Sequence, residues 1–591
     1  MKLIVPYIDN IRSADARLLK LAEFLGIACM TSPVEPNAGL GWRTSVFDDG
    51  SDVCLLINPD VIHQCLCGQL PSPESVTWLL SHFRRLLVHS VRPDPFHAAL
   101  IAALTNGCFH DVRRARDCRA FVISAESRSV CASFAGLSIP ASSLEGDCVF
   151  SGGDTAGCRK FITVDQDAFF ASYKSGIAEV LMVGSGEVVN LDAEASAKWL
   201  TETFSCFVPY AMALRHVFGD ECWRPVEVNA SVIIDDPLLR PNYGFLNFER
   251  LLRLMEEHNF TSTIAFIPHN FRRNSRRVIR LFQQNPHRFS LCFHGNDHLG
   301  AEFAATDPAL INTMLQIAQR RMTAFTRMTT VPCDRIMVFP QGKFSVDAMA
   351  GLGSQNFDAA VNTIPHPCGQ PLQLTLREFA EPAVIRYSGF PLFLRMYSRD
   401  LKDADIAFKL FFGIPILIVE HHDIFENPQI LIDAVDRINL LAPEICWSGA
   451  GDAVKNAYLR RRSPSGPVQL KAYARRIQVK NPGSLPQRFY FEWGYTGSRS
   501  SLDGVYCKDQ RCPDCSVGET GISVSAEVNP GGCESLSLRN VQNEGDLARV
   551  GLRYTMRAFI RRRLSEVRDN FVSKRPALLA TAKSLQRRLQ H

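Results

Sequence analysis

Three short segments in the middle of the chain carry the side chains best suited to act together: Ile-Ile-Asp235-Asp236-Pro, His294-Gly-Asn-Asp-His298 and Ile-Val-Glu-His421-His422-Asp423. Adjacent carboxylates repel each other unless a cation lies beside them, so Asp235 and Asp236 at the end of an apolar run ask for a positive charge. His294 and His298 stand four apart, with Gly295 permitting a tight turn, and can bring two imidazole nitrogens to one ion. A histidine such as His421 or His422 titrates near neutral pH and can act as a general acid. Types and spacing together point to a metal-centred site. Each segment also has a plainer use, since Asp pairs cap turns and histidines often satisfy local hydrogen bonds.

These segments meet only if something positions them. Each follows a strand-like apolar run, so each is expected where a strand ends, with the strands side by side and their carboxyl ends on one face. From residue 226 to 447 such runs recur with helices between them, at 230–234, 262–267, 289–293, 335–339, 359–363, 384–387 and 414–419. Seven strands with crossovers argue for a parallel sheet or an incomplete barrel. Phe248, Leu251, Leu252, Leu254 and Met255 repeat at helical spacing after the first of them, predicting an amphipathic helix.

The rest of the chain frames this part. A length of 591 residues exceeds one core. Residues 1–200 alternate strand-like and helix-like runs, predicting an α/β layer domain, but hold neither of the glycine-rich phosphate-binding motifs. A catalytic barrel is expected over 205–455, a linker at 460–466, a small β-sandwich over 467–545 and a basic helical tail over 546–591. Formal net charge is +5, which argues against nucleic acid as partner. From Arg549 to His591 there are 12 basic residues against Glu566 and Asp569, leaving 53 basic and 58 acidic residues in the remainder, so the basicity belongs to the tail. Arg549, Arg553, Arg557 and Arg561 recur four apart and suggest contact with an anionic membrane surface or acidic glycan, or simply a solvated face. No apolar run is long enough to span a membrane and the first residues turn polar early, so a cytoplasmic location is expected. The 19 cysteines read mostly as reduced and buried, although Cys507, Cys512, Cys515 and Cys533 could form a structural zinc site.

Asp235-Asp236, His294-x-x-x-His298 and the late strand ending in histidine resemble the first, second and last motifs of the polysaccharide deacetylases, the NodB-homology or carbohydrate esterase family 4 enzymes. Phe339-Pro340-Gln341-Gly342 resembles that family's third motif, a groove-lining Arg-x-Pro-aromatic-Gly segment, and the match spans about 220 residues. The resemblance implies a distorted (β/α)7 barrel and a zinc-type ion held by Asp236, His294 and His298. It also implies Asp235 as general base, His422 as general acid with His421 in reserve, and Phe339, Pro340 and Gly342 as substrate-binding residues. The third-motif arginine falls on Val338 and its aromatic position on Gln341, so Arg240, Arg386 or Arg395 would have to supply the guanidinium.

The function this implies is metal-dependent removal of an N-acetyl group from a sugar in polysaccharide or glycoconjugate synthesis, with an N-acetylated carbohydrate as partner. A hydrolase of a non-sugar amide or other C-N bond and a non-catalytic glycan- or metal-binding scaffold are the alternatives. The oligomeric state is not legible in the sequence.

Overall fold

The structure, a computed structural model, describes residues 1–35, 53–115, 119–140, 145–463, 466–494, 502–508, 510–518, 521–541, 551–572 and 574. It divides into two compact units. One comprises Met1–Arg224 with Thr375–Arg377 and Arg460–Gly466, and the other comprises Pro225–Leu374, Glu378–Leu459 and Pro467–His591.

In the first unit the strands Cys29–Pro33, Lys2–Tyr7, Val53–Ile57, Arg85–Val88 and Ala178–Val183 lie side by side and parallel. The sheet continues antiparallel through Asp167–Ser175, Cys158–Val164, Phe121–Ile123 and Ser138–Ile139. The inner parallel strands are buried on both faces, which is why they read as unbroken runs such as Leu-Leu-Val rather than alternating ones. Helices enter where the sequence supplies caps. Asn58, Ser72 and Asp94 each accept a backbone N–H from the first turn, and each is followed by a proline that fits the helix start. The unit extends past residue 200 because the long helix Trp199–Phe218 is buried along most of its length and its Tyr210 hydroxyl donates to the Ser185 carbonyl at 2.8 Å.

The second unit is built on seven parallel strands, in order Asn229–Asp235, Ser262–Phe266, Phe289–His294, Asp334–Val338, Ala359–Asn362, Leu392–Tyr397 and Ile416–His421. The last pairs with the first, and the barrel is closed. Cys446–Trp447 adds a short flanking strand beside Asn229–Asp235. Ala230, Val232 and Ile234 on the first strand, Leu291 and Phe293 on the third, and Ile416 and Ile418 on the seventh join the apolar layer beneath the surrounding helices. Because side chains alternate along a strand, Asp235, His294 and His421 face the barrel interior.

One strand differs from expectation. Residues 384–387 make only an isolated bridge, Val384 to Leu392, and the sixth strand is Leu392–Tyr397. Its Leu-Phe-Leu-Arg-Met-Tyr sequence carries a charge in the middle, which broke the apolar pattern. That charge, Arg395, is buried.

Beyond the barrel, Val468–Ala472, Gln487–Trp493, Ile522–Val528 and Ser516–Val517 lie in one sheet, and Arg476–Lys480, Cys533–Asn540, Leu502–Cys507 and Gln510–Arg511 in another. Side chains of both sheets share one core, including Leu470, Phe491, Val524, Ile477, Val505 and Leu536, which is the sandwich arrangement. The segment expected as a linker is partly strand, since Tyr458–Arg462 is extended and paired; residues 464 and 465 lie outside the described residues. A helix, Leu552–Val567, follows and ends in a wider turn over Arg568–Val572. The expected tail residues 546–550, 573 and 575–591 lie outside the described residues.

Candidate active site

Asp235 ends the first barrel strand, and its carboxylate is gripped from both sides. Arg395 Nη1 donates to Oδ1 at 2.7 Å and Nη2 to Oδ2 at 2.6 Å, with both side chains buried. Burial opposes ionisation of Asp235, but Arg395 and His294 outweigh it and hold its carboxyl below the ordinary carboxylate value. The guanidinium that the third motif lacks therefore arrives from the sixth strand. Of the three arginines considered from sequence, Arg240 pairs with Glu566 and Arg386 with Glu378.

Asp236 lies one residue past the strand with φ +81°, a backbone conformation that directs its side chain back over the mouth. Its Oδ1 is 3.4 Å from His294 Nε2 and 3.3 Å from His298 Nε2. Oδ1 is buried and has no hydrogen-bond partner. His294 Nδ1 donates to the Val338 carbonyl on the neighbouring strand at 3.1 Å, which leaves Nε2 as the nitrogen turned toward Asp236. Among the described residues these three form the one group of three or more His, Cys, Asp or Glu side chains close enough to share an ion. Cys507, Cys512, Cys515 and Cys533 do not converge in that way.

The His294–His298 loop is shaped by a buried carboxylate that sequence reasoning missed. Glu302 accepts the backbone N–H groups of Asn296, Asp297 and His298 at 2.7, 3.2 and 3.1 Å. Burial raises its pKa even against those donors. Gly295 sits at φ +64°, and a Cβ there would meet Glu302 Oε1 at 2.1 Å and Pro340 Cγ at 2.5 Å, so only glycine fits. Asp297 turns away from the cluster to His269 Nδ1 at 2.8 Å and Arg321 Nη1 at 2.6 Å.

The electrostatics of the cluster call for a cation. Burial opposes ionisation of Asp236, yet His298 and His294 hold its carboxyl well below the usual value. The imidazoles move in opposite directions. Burial lowers His298 to about 4, keeping it neutral. His294 rises against its own burial because Asp235 and Asp236 both act on it. Arg395 balances Asp235, while Asp236 has the two imidazoles beside it and feels Arg562 and Arg568 of the tail. An unpartnered buried carboxylate oxygen with two imidazole nitrogens turned toward it suits a divalent ion such as zinc.

The two late histidines separate. His421 lies level with Asp235 in the strand register and lines a cavity of about 400 Å³ with Tyr397, Arg399, Glu420, Asp423 and Asn427. His422 turns the other way: its Nε2 is 3.6 Å from Asp569 Oδ1 in the tail, and its ring meets Tyr243 edge to face. His422, expected as the acid, and His421, its reserve, thus stand in different surroundings. The strand ends at His421 and His422 opens the short 3-10 helix His422–Glu426, so the chain turns between them.

The third-motif residues also depart from expectation. Phe339 is fully buried and stacks on Phe344 at 5.2 Å between ring centres, so it belongs to the core and not to a substrate groove. Pro340 abuts Gly295, and the Gly342 carbonyl accepts from Asn362 Nδ2 at 2.9 Å. The segment braces the histidine loop.

Finally, the tail helix lies against the mouth. Arg562 Nη2 donates to the His298 carbonyl at 3.3 Å, Tyr243 donates to Asp569 at 2.6 Å, and Gly244 N–H donates to Asn570 Oδ1 at 3.0 Å. Nothing in the local sequence of the tail announces these contacts.

The closed seven-stranded parallel barrel carries paired aspartates and a His-x-x-x-His loop at the carboxyl ends of its strands. No family model and no curated protein matches the chain. It is similar in structure to Agd3, a novel carbohydrate deacetylase, at 11% identity and a TM-score of 0.49, over 91% of this chain and 98% of that one. It is also similar to the Xyl-CE4 domain of a multidomain xylanase from the hindgut metagenome of Trinervitermes trinervoides, at 12% identity and a TM-score of 0.24, over 38% of this chain and 89% of that one. A family 4 carbohydrate esterase from Streptomyces lividans is similar at 12% identity and a TM-score of 0.23, over 37% of this chain and 90% of that one.

Proposed function

We propose that the chain is a metal-dependent hydrolase that removes the N-acetyl group of a sugar in polysaccharide or glycoconjugate synthesis. The observation that carries this reading is the juxtaposition of two differently prepared aspartates: Asp235 clamped by Arg395, and Asp236 left with a bare oxygen facing two imidazoles. Asp236, His294 and His298 would hold a divalent ion, which when bound supplies a Lewis acid that polarises the amide carbonyl and makes water more acidic.

The remaining work falls to the chain's own residues. Asp235, kept ionised and oriented by two guanidinium bonds, takes a proton from the attacking water. His421, on the same interior face, gives a proton to the departing nitrogen. The cavity beside His421 receives the sugar, with Asp423 and Asn427 offering acceptors and donors for hydroxyl groups. That the substrate is a sugar rests on the motif resemblance.

The test is acetate release from a panel of N-acetylated sugars and sugar-lipid intermediates by zinc-loaded protein. Asp235→Asn should keep the metal and lose turnover, and Asp236→Ala should lose both. Full activity in Asp235→Asn would overturn the mechanism, and no release by metal-replete wild type would overturn the activity.

A further inference from the structure

The tail helix Leu552–Val567 is amphipathic with its apolar side outward. Its two acids and one arginine are spent on the barrel: Arg562 and Asp569 are buried there, and Glu566 pairs with Arg240 at 2.9 Å and with Arg273. Met556, Phe559, Ile560, Leu564, Val567 and Phe571 are left 50 to 66% exposed. Their spacing of three, four and seven residues places them in one stripe along the helix and its terminal turn. A contiguous row of large exposed apolar side chains marks an interaction surface.

Charge says what kind. Arg553 and Arg557 are exposed, Arg561 is half-buried on the same flank, and Arg563 sits within the stripe. The two acids in residues 551–572, Glu566 and Asp569, both face the barrel. The sequence from 574 to 591 adds Lys574, Arg575, Lys583, Arg587 and Arg588 and no acid. A second copy docking stripe to stripe would set arginines against arginines. A nucleic acid would use the charge and leave the apolar row in water. An anionic phospholipid surface uses both, taking the apolar row among its acyl chains and the arginines at its headgroups. Among the described residues no helix is long and apolar enough to cross a membrane, so the contact is peripheral.

We infer that the outer face of this helix docks the protein on an anionic lipid surface. The barrel mouth is thereby held within a helix diameter of that surface, about 10 Å. This inference does not need the deacetylase reading.

The test is co-sedimentation of the full-length protein with phosphatidylcholine vesicles, with and without phosphatidylserine. Phosphatidylserine should strengthen binding about tenfold or more, and added salt should weaken it. Leu564→Asp should reduce binding about tenfold, as a charge enters the apolar row. Arg557→Glu should remove the preference for phosphatidylserine. Leu440→Asp, at an exposed apolar residue on another helix, should leave binding unchanged and controls for folding. Absence of binding, equal binding to both vesicles, or a dimer in light scattering that Leu564→Asp dissociates would each overturn the inference.

Discussion

Replacing Arg395 by Met tests whether the sixth strand supplies what the third motif lacks. The substitution keeps a long apolar stem inside the barrel and removes both bonds to Asp235, at 2.7 and 2.6 Å. Hydrogen bonds to a charged group contribute about 1.5–3 kcal/mol each, and removing one partner of a buried pair costs about 3–5 kcal/mol, because the other charge stays behind. The Met variant should therefore lose about 3–5 kcal/mol in urea unfolding near neutral pH. Arg395→Lys should lose less, since an ammonium keeps the charge but not the two-point grip. Turnover should fall about 100-fold or more in the Met variant, the scale of a general base. Zinc content, measured by mass spectrometry, should stay at the wild-type level, because Arg395 bonds to Asp235 and not to the three residues of the ion cluster. A folded Met variant with turnover within about threefold of wild type would refute the assignment of Arg395 and weaken that of Asp235.

Three further outcomes follow from the geometry. Gly295→Ala should cost about 1–2 kcal/mol from the positive φ alone and should weaken zinc binding at least tenfold, read by competition with a chromophoric chelator, because its Cβ displaces Glu302 and Pro340. His421→Ala should lower turnover about 100-fold or more at unchanged zinc content, whereas His422→Ala should act on the tail contact and leave turnover within about threefold; the reverse pattern would return the acid role to His422. In the first unit, burial opposes ionisation of Asp60, but His97, Arg92 and Arg12 lower its pKa from 3.8 to about 2. Its folded value lies below the unfolded one, so its stabilisation is complete above 3.8 and is lost as pH falls toward 2. Asp60→Asn should thus destabilise the protein at neutral pH, with the gap to wild type closing over that acid range in denaturant titrations.

Much of the architecture was legible because it depends on local pattern. The repeated apolar runs with helices between them marked six of the seven barrel strands, and Asp235, Asp236, His294 and His298 stood out because strand ends in such a fold share one face. Arg395 was named only as one of three arginines, since its partner lies 160 residues away and no local rule connects them. The same arginine hid its own strand. A charge inside an apolar run reads as an interruption until its counter-charge is seen.

What the sequence by itself determined is the set of chemical groups and the elements that carry them. Strand propensity and alternation act over a few residues and can be read over a few residues. Tertiary structure decided which groups face each other. It turned His421 inward and His422 toward Asp569, sank Phe339 into the core, and brought Glu302 beneath the histidine loop. It also laid the tail helix across the mouth with its apolar side outward. Those choices rest on desolvating charges and closing a barrel, and both are properties of the whole fold.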